Sequence, residues 1–151
     1  MLIGLAFHIL GAVIWVGGMF FAYVVLRPST GPLEPPVRLS LWGRVFSRFF
    51  LWVWLSVAAL LASGLAMVFV EFGGFAGTSP YVRAMMTLGI IMILIFAHVY
   101  FAPWQRFQRA VAASDWPGAG KAIEQIRRMV GINLILGLVT VVVGASGRYW
   151  M

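Results

Sequence analysis

Two histidines, eight methionines and no cysteine make up the nitrogen and sulfur chemistry this chain can offer to a metal. Without cysteine there is no disulfide, no thiolate site and no cysteine nucleophile, so a metal has to be held by imidazole, thioether or oxygen. His8 stands in the stretch GLAFHILGAVIWVGG, residues 4–18, where almost every neighbour is apolar. An ionisable side chain in such a run is costly. It marks either a ligand site or a structural histidine satisfied by a hydrogen bond.

The spacing around His8 is helical. At 100° per residue, Gly4, His8, Gly11, Trp15 and Gly18 fall within an arc of about 80° on one helix. Near the other end of the chain Asn133, Gly137, Thr140, Gly144 and Gly147 repeat the same offsets. Each helix thus carries a groove of missing side chains with one or two polar groups in it. Small residues let membrane helices approach closely, and Thr or Asn supply hydrogen bonds between them. The same faces would also suit a homo-oligomer or a membrane partner.

The elements that position these residues follow from composition. Of 151 residues 62% are hydrophobic and 10% charged, and the mean hydropathy is +0.97. That is more apolar surface than a globule of this size can hide from water, so the partner is the lipid bilayer. A helix needs about 20 mostly apolar residues to cross the hydrocarbon core, and four segments meet this: residues 2–26, 46–70, 84–101 and 129–146. The sequence predicts an all-α fold, a four-helix transmembrane bundle forming a single domain.

A net charge of +7 would suit nucleic acid if it formed one solvated face. Instead it lies in two connections. Arg27, Arg38, Arg44 and Arg48 surround the first, and Arg106, Arg109, Lys121, Arg127 and Arg128 fill the third, against only Arg83 and Arg148 elsewhere. By the positive-inside rule those two connections are cytoplasmic, which predicts a bacterial inner-membrane protein with both termini periplasmic and no role for nucleic acid. The first span has no basic residue before it and is too long for an ordinary signal h-region, so it is expected to be retained. No Asp or Glu falls inside a span, which argues against a proton-driven transporter or a carboxylate-lined channel.

The connections read as follows. Pro28 to Pro36 breaks the first helix, and Leu39 to Arg48 leads into the second span with Trp42 and Arg44 at interfacial level. Phe107 to Ser114 and Ala119 to Arg128 are expected as short interfacial helices, with Asp115 as an N-cap. Gly118 to Lys121 lacks the spacing and the preceding strand of a phosphate-binding loop.

Depth along the helices separates the two histidines. At about 1.5 Å per residue, His8 lies roughly 9 Å toward the outer face and His98 roughly 7 Å toward the inner face, so they differ by about 16 Å. At the level of His8 the other spans carry Ser63-Gly64, Met86-Thr87 and Gly144-Ala145. One reading places a b-type haem there, on His8, with Gly11, Trp15, Ser63, Gly64, Thr87 and Gly144 forming the pocket and Arg83 and Arg148 pairing with the propionates. A second uses His8 with Met67, Met85 or Met86, and Met1 above, to bind Cu(I). A third leaves His8 as a hydrogen-bonded structural residue. His98 shares its depth with Met19, Val53 and Asn133, so a His98 to Asn133 hydrogen bond is expected, with a second metal site at His98 as the alternative.

Several segments together resemble a known family. FHILGAVIWVGGMFFAYVVLRP, the LASG of the second span, MMTLGIIMILIFAHVYFAPWQRFQRAV and IRRMVGINLILGLVTVVVG look like the small membrane proteins of the copper-resistance D (CopD) family. The resemblance runs over nearly the whole chain and implies copper uptake or resistance. The layout is also similar to the HemJ type of protoporphyrinogen oxidase, which implies haem on His8 and matches His98 to a later histidine. The lysine of that type would fall near Thr87, where this chain has none, and no other catalytic signature is present.

Overall fold

Prolines set where the helices of this chain begin. In the computed structural model, which describes residues 2–149, Pro35, Pro80, Pro103 and Pro117 each occupy one of the first two positions of a helix. There the missing N–H goes unused and the fixed φ suits the helix. Helix α1 covers Leu2–Phe20, widens into a π-helical segment at Phe21–Leu26 and closes with the turn Arg27–Ser29. Helix α2 covers Pro35–Glu71, α3 Pro80–Phe101, α4 Pro103–Ala112 and α5 Trp116–Ser146, with a final 3-10 turn at Gly147–Tyr149. No strand occurs among the described residues. Met1, named above as a further thioether, lies outside them.

Four stretches are long and apolar enough to cross a membrane: Leu2–Ser29, Pro35–Glu71, Pro80–Ala112 and Trp116–Tyr149. The all-α, four-helix transmembrane reading therefore holds, and the protein is a multi-pass membrane protein. Large apolar side chains such as Leu51, Leu94, Ile135 and Val142 are exposed around the outside, where lipid replaces a core partner.

The ends differ from the sequence-based expectation. Residues 119–128 do not form a separate interfacial helix, because α5 runs unbroken from Trp116 into the last span. Asp115 does cap it, its Oδ1 accepting from the Gly118 N–H at 2.9 Å. Pro28 does not end α1 at once. It offers no N–H to the Val24 carbonyl and its ring presses on that turn, and the helix meets this with the wider π turn before it. At the far end of α2, Gly73 and Gly74 take φ of +65° and +116°, conformations that side-chain-bearing residues rarely adopt.

Helix α1 lies along α2 and, more lightly, against α5; α3 lies along α5, and α4 packs onto α5. Helices α2 and α3 meet through aromatic rings: Phe50 and Trp54 of α2 set edge-on against Phe96 and Tyr100 of α3. Trp104 and Phe107 of α4 extend this cluster toward Phe46 and Trp42. Trp42 thus faces the bundle and not its surroundings. It is buried, and its indole N–H donates to Thr30 Oγ1 at 3.2 Å.

Candidate functional site

The groove on α1 exists to bring α2 close. A Cβ on Gly11 would stand 3.1 Å from Leu60 Cγ and 3.2 Å from the Ser56 carbonyl, and one on Gly18 would collide with the ring of Phe49. One turn from Gly11 toward Leu2, the same interface seats His8 against Ser63 and Gly64. A Cβ on Gly64 would be 3.3 Å from His8 Cε1, so glycine there makes room for the imidazole. Three residues assigned to one level from their depth alone, His8, Ser63 and Gly64, are thus in contact.

The hydrogen bonds at this point favour one state of the ring. Ser63 has one hydroxyl hydrogen. Its Oγ lies 2.5 Å from the Ala59 carbonyl, which can only accept, so that hydrogen is donated there. Ser63 Oγ is also 3.0 Å from His8 Nδ1. With the hydroxyl hydrogen donated to Ala59, the tautomer that completes this contact is the one protonated on Nδ1, with Nε2 as the unprotonated nitrogen. A hydrogen bond on one ring nitrogen that presents the other as an acceptor is the arrangement by which proteins orient a metal-binding histidine.

Helices α1 and α2 run antiparallel here, since Gly11 meets Ser56 and Leu60 while His8 meets Ser63 and Gly64. Met67, four residues after Ser63, lies one turn further along the same face of α2. It is half-buried at the level of Gly4, where an added Cβ would find open space. Met67 therefore brings a thioether one helical turn beyond Ser63 on α2.

The remaining residues named from the sequence have other partners. Trp15 is buried two turns below His8, edge-on to Phe96 with centroids 6.1 Å apart. Thr87 is exposed, its hydroxyl donating to the Arg83 carbonyl of its own helix at 3.0 Å. Arg83 is exposed; Arg148 is exposed and folds over the Tyr149 ring. The space at Gly144 is taken by Met85, whose Cε and Sδ would lie 3.0 and 3.2 Å from an added Cβ, and Met86 is half-buried on α3. The groove of α5 serves α3 throughout: Asn133 Nδ2 donates to the Met92 carbonyl at 3.3 Å, Thr140 Oγ1 lies 3.8 Å from Met92 Sδ, and Gly147 makes room for Tyr81. Gly137 makes room for Val16 of α1 and Met92 of α3 together. Gly11, Gly18, Gly137, Gly144 and Gly147 are thus packed within the chain, while Gly4 faces open space.

The expected His98 to Asn133 bond is not formed. His98 is exposed on the outside of α3, while its neighbour Val99 is the buried residue at that level, together with Met19, Val53 and Asn133. Depth was right and rotation was not. The Ala59 carbonyl, which bears on the tautomer of His8, could not be found from sequence because any helical residue carries one. The aromatic cluster had a signal in Trp42, Phe46, Phe50 and Trp54, spaced at four.

Among the described residues no three His, Asp or Glu side chains come together to hold a metal. One imidazole with thioether sulfur is a donor set suited to a soft ion such as Cu(I). Of the glycines named for a flat ring, Gly11 faces Leu60, Gly64 faces the His8 ring and Gly144 faces Met85.

Comparison with known proteins gives a consistent picture. The model of the family described as Copper resistance protein D matches residues 43–146. A protein of Aquifex aeolicus (strain VF5), described as an uncharacterized protein, is 28% identical over 143 residues, which cover 93% of this chain and 90% of that one. No solved structure matches.

Proposed function

The chain belongs to the copper resistance protein D family, and on that premise we propose that it receives Cu(I) as cargo at the end of the bundle where His8 lies. His8 Nε2 and the Met67 thioether are the ligands, Ser63 orients the imidazole, and Gly64 keeps the ring's place clear. The observation that supports this reading is the pair of contacts from His8 Nδ1 to Ser63 Oγ and from Ser63 Oγ to the Ala59 carbonyl, which suits the tautomer with Nε2 unprotonated. The soft donor set and the absence of cysteine support copper in its reduced state over harder ions.

The two basic connections lie at the other end from His8, and the positive-inside rule supports reading them as cytoplasmic and His8 as lying toward the periplasm of a bacterial inner membrane. Copper would then enter from outside. The test is metal analysis and an optical spectrum on the detergent-purified protein after anaerobic exposure to Cu(I). One copper per chain, lost in His8→Ala, is expected. A Soret band on supplying haem, with no copper retained, would replace this reading by haem binding at the same histidine. Cells lacking the protein should change their copper content or tolerance.

A further inference from the structure

The end of the bundle remote from His8 carries a cleft of about 490 Å³ whose lining includes Tyr23, Arg27, Gly31, Arg38 and Arg127. It joins the π-helical end of α1, the connection that follows, and the first third of α5, so it gathers arginines from both basic connections. Each guanidinium is held in place. Arg27 lies over the Tyr23 ring, 5.0 Å from its centroid, and Tyr23 in turn packs in the space left by Gly131. Arg38 Nη1 donates to the carbonyls of Gly31 and Leu33 at 3.3 and 3.4 Å. Arg127 is the most enclosed, its side chain 21% exposed, and its Nε is buried with no acceptor.

The charge in this cleft is poorly compensated. Among the described residues Arg127 pairs with Glu124, a single oxygen 3.6 Å from Arg127 Nη1 on a side chain that is 69% exposed. Around Arg127 stand the like charges of Arg27 and Arg38, with Glu124 opposing them. Three like charges held around a void, one with an unused N–H pointing nowhere, are stabilised by an oxyanion with several acceptor oxygens. Next to the cleft, Phe21, Val24 and Val25 are exposed apolar residues on the same turn of α1, where an acyl chain would lie.

We infer that this cleft binds a phosphate group, held by Arg27, Arg38 and Arg127, of the kind an acidic phospholipid presents at the membrane surface. Basic pockets between spanning helices at this level are suited to such headgroups. The inference is independent of copper and stands whether or not His8 binds a metal.

The test uses the full chain in detergent micelles doped with dioleoyl-phosphatidylglycerol or with dioleoyl-phosphatidylcholine, with bound lipid counted by native mass spectrometry. A parallel arm titrates inorganic phosphate in micelles without phosphatidylglycerol, at constant ionic strength, and follows the thermal unfolding midpoint. Phosphatidylglycerol should be retained at least about tenfold over phosphatidylcholine, and Arg127→Gln and Arg38→Gln should each remove most of that preference. Lys121→Gln, an exposed residue of the same helix, should leave it intact. Stabilisation by inorganic phosphate that the same two arginine variants abolish would identify free phosphate as the source. If Arg127→Gln does not fold, Arg38→Gln carries the comparison. No preference and no phosphate effect, or a loss equal in Lys121→Gln, overturns the inference.

Discussion

Replacing Ser63 by alanine tests the chemistry at His8 without touching the ligand. The substitution removes the acceptor that lies 3.0 Å from His8 Nδ1, while the Ala59 carbonyl keeps its bond within the helix. A half-buried imidazole N–H left without a partner costs about 1–3 kcal/mol, and the ring can escape that cost by turning or by moving its proton to Nε2. Either response takes the lone pair away from the metal. Loss of such an orienting partner weakens metal binding by about 10–100-fold. Competition of the purified protein against a chromogenic Cu(I) chelator, under anaerobic conditions, measures this directly. Ser63→Thr, which keeps a hydroxyl at the same atom, should retain most of the affinity. A folded Ser63→Ala protein that binds Cu(I) as tightly as the unaltered chain would refute the orienting role of Ser63.

Other substitutions probe the frame. Gly137→Ala should cost about 1–3 kcal/mol by overpacking, because the new methyl would stand 2.9 Å from Val16 Cγ2 and 3.1 Å from Met92 Cε; thermal unfolding in detergent reads it. Trp42→Phe and Thr30→Val should each lower stability by at least about 0.5–1.5 kcal/mol, and the double variant should lose less than the two together, since both remove the same indole hydrogen bond. His98→Leu should leave Cu(I) affinity within a factor of about two, its ring being on the lipid side of α3; a large loss would assign the metal to His98 instead.

The parts of this structure legible in the sequence are those governed by one-dimensional quantities. Span length, loop charge and depth along a helix need only counting, and they gave the four helices, the two basic connections and the pairing of His8 with Ser63 and Gly64. The stripes of glycine were legible as packing faces because the 3.6-residue period is enough to see them. What the sequence does not carry is rotation about each helix axis. The level containing His98 and Asn133 was found, yet Val99 and not His98 turns inward, because the aromatic cluster around Phe96 and Tyr100 sets how α3 faces the bundle. Thr87 and Arg83 were expected toward the core and point out for the same reason. Backbone partners were equally hidden: Asn133 Nδ2 donates to the Met92 carbonyl and Ser63 Oγ to that of Ala59, and no residue type announces a carbonyl. The arginine cleft was present in the charge count but became a site only when the π-helical turn brought Arg27 beside residues far along the chain.

The central claim is that His8 offers its Nε2, with the proton on Nδ1, to Cu(I). Nitrogen-15 NMR of the protein labelled only at histidine tests it most directly, since just two imidazoles contribute. Before copper, His8 should show a protonated Nδ1 and an unprotonated Nε2. On adding one equivalent of Cu(I), the Nε2 resonance of His8 should shift strongly while both nitrogens of His98 stay in place. A shift confined to His98, or no shift at either histidine while copper is bound, would contradict the account.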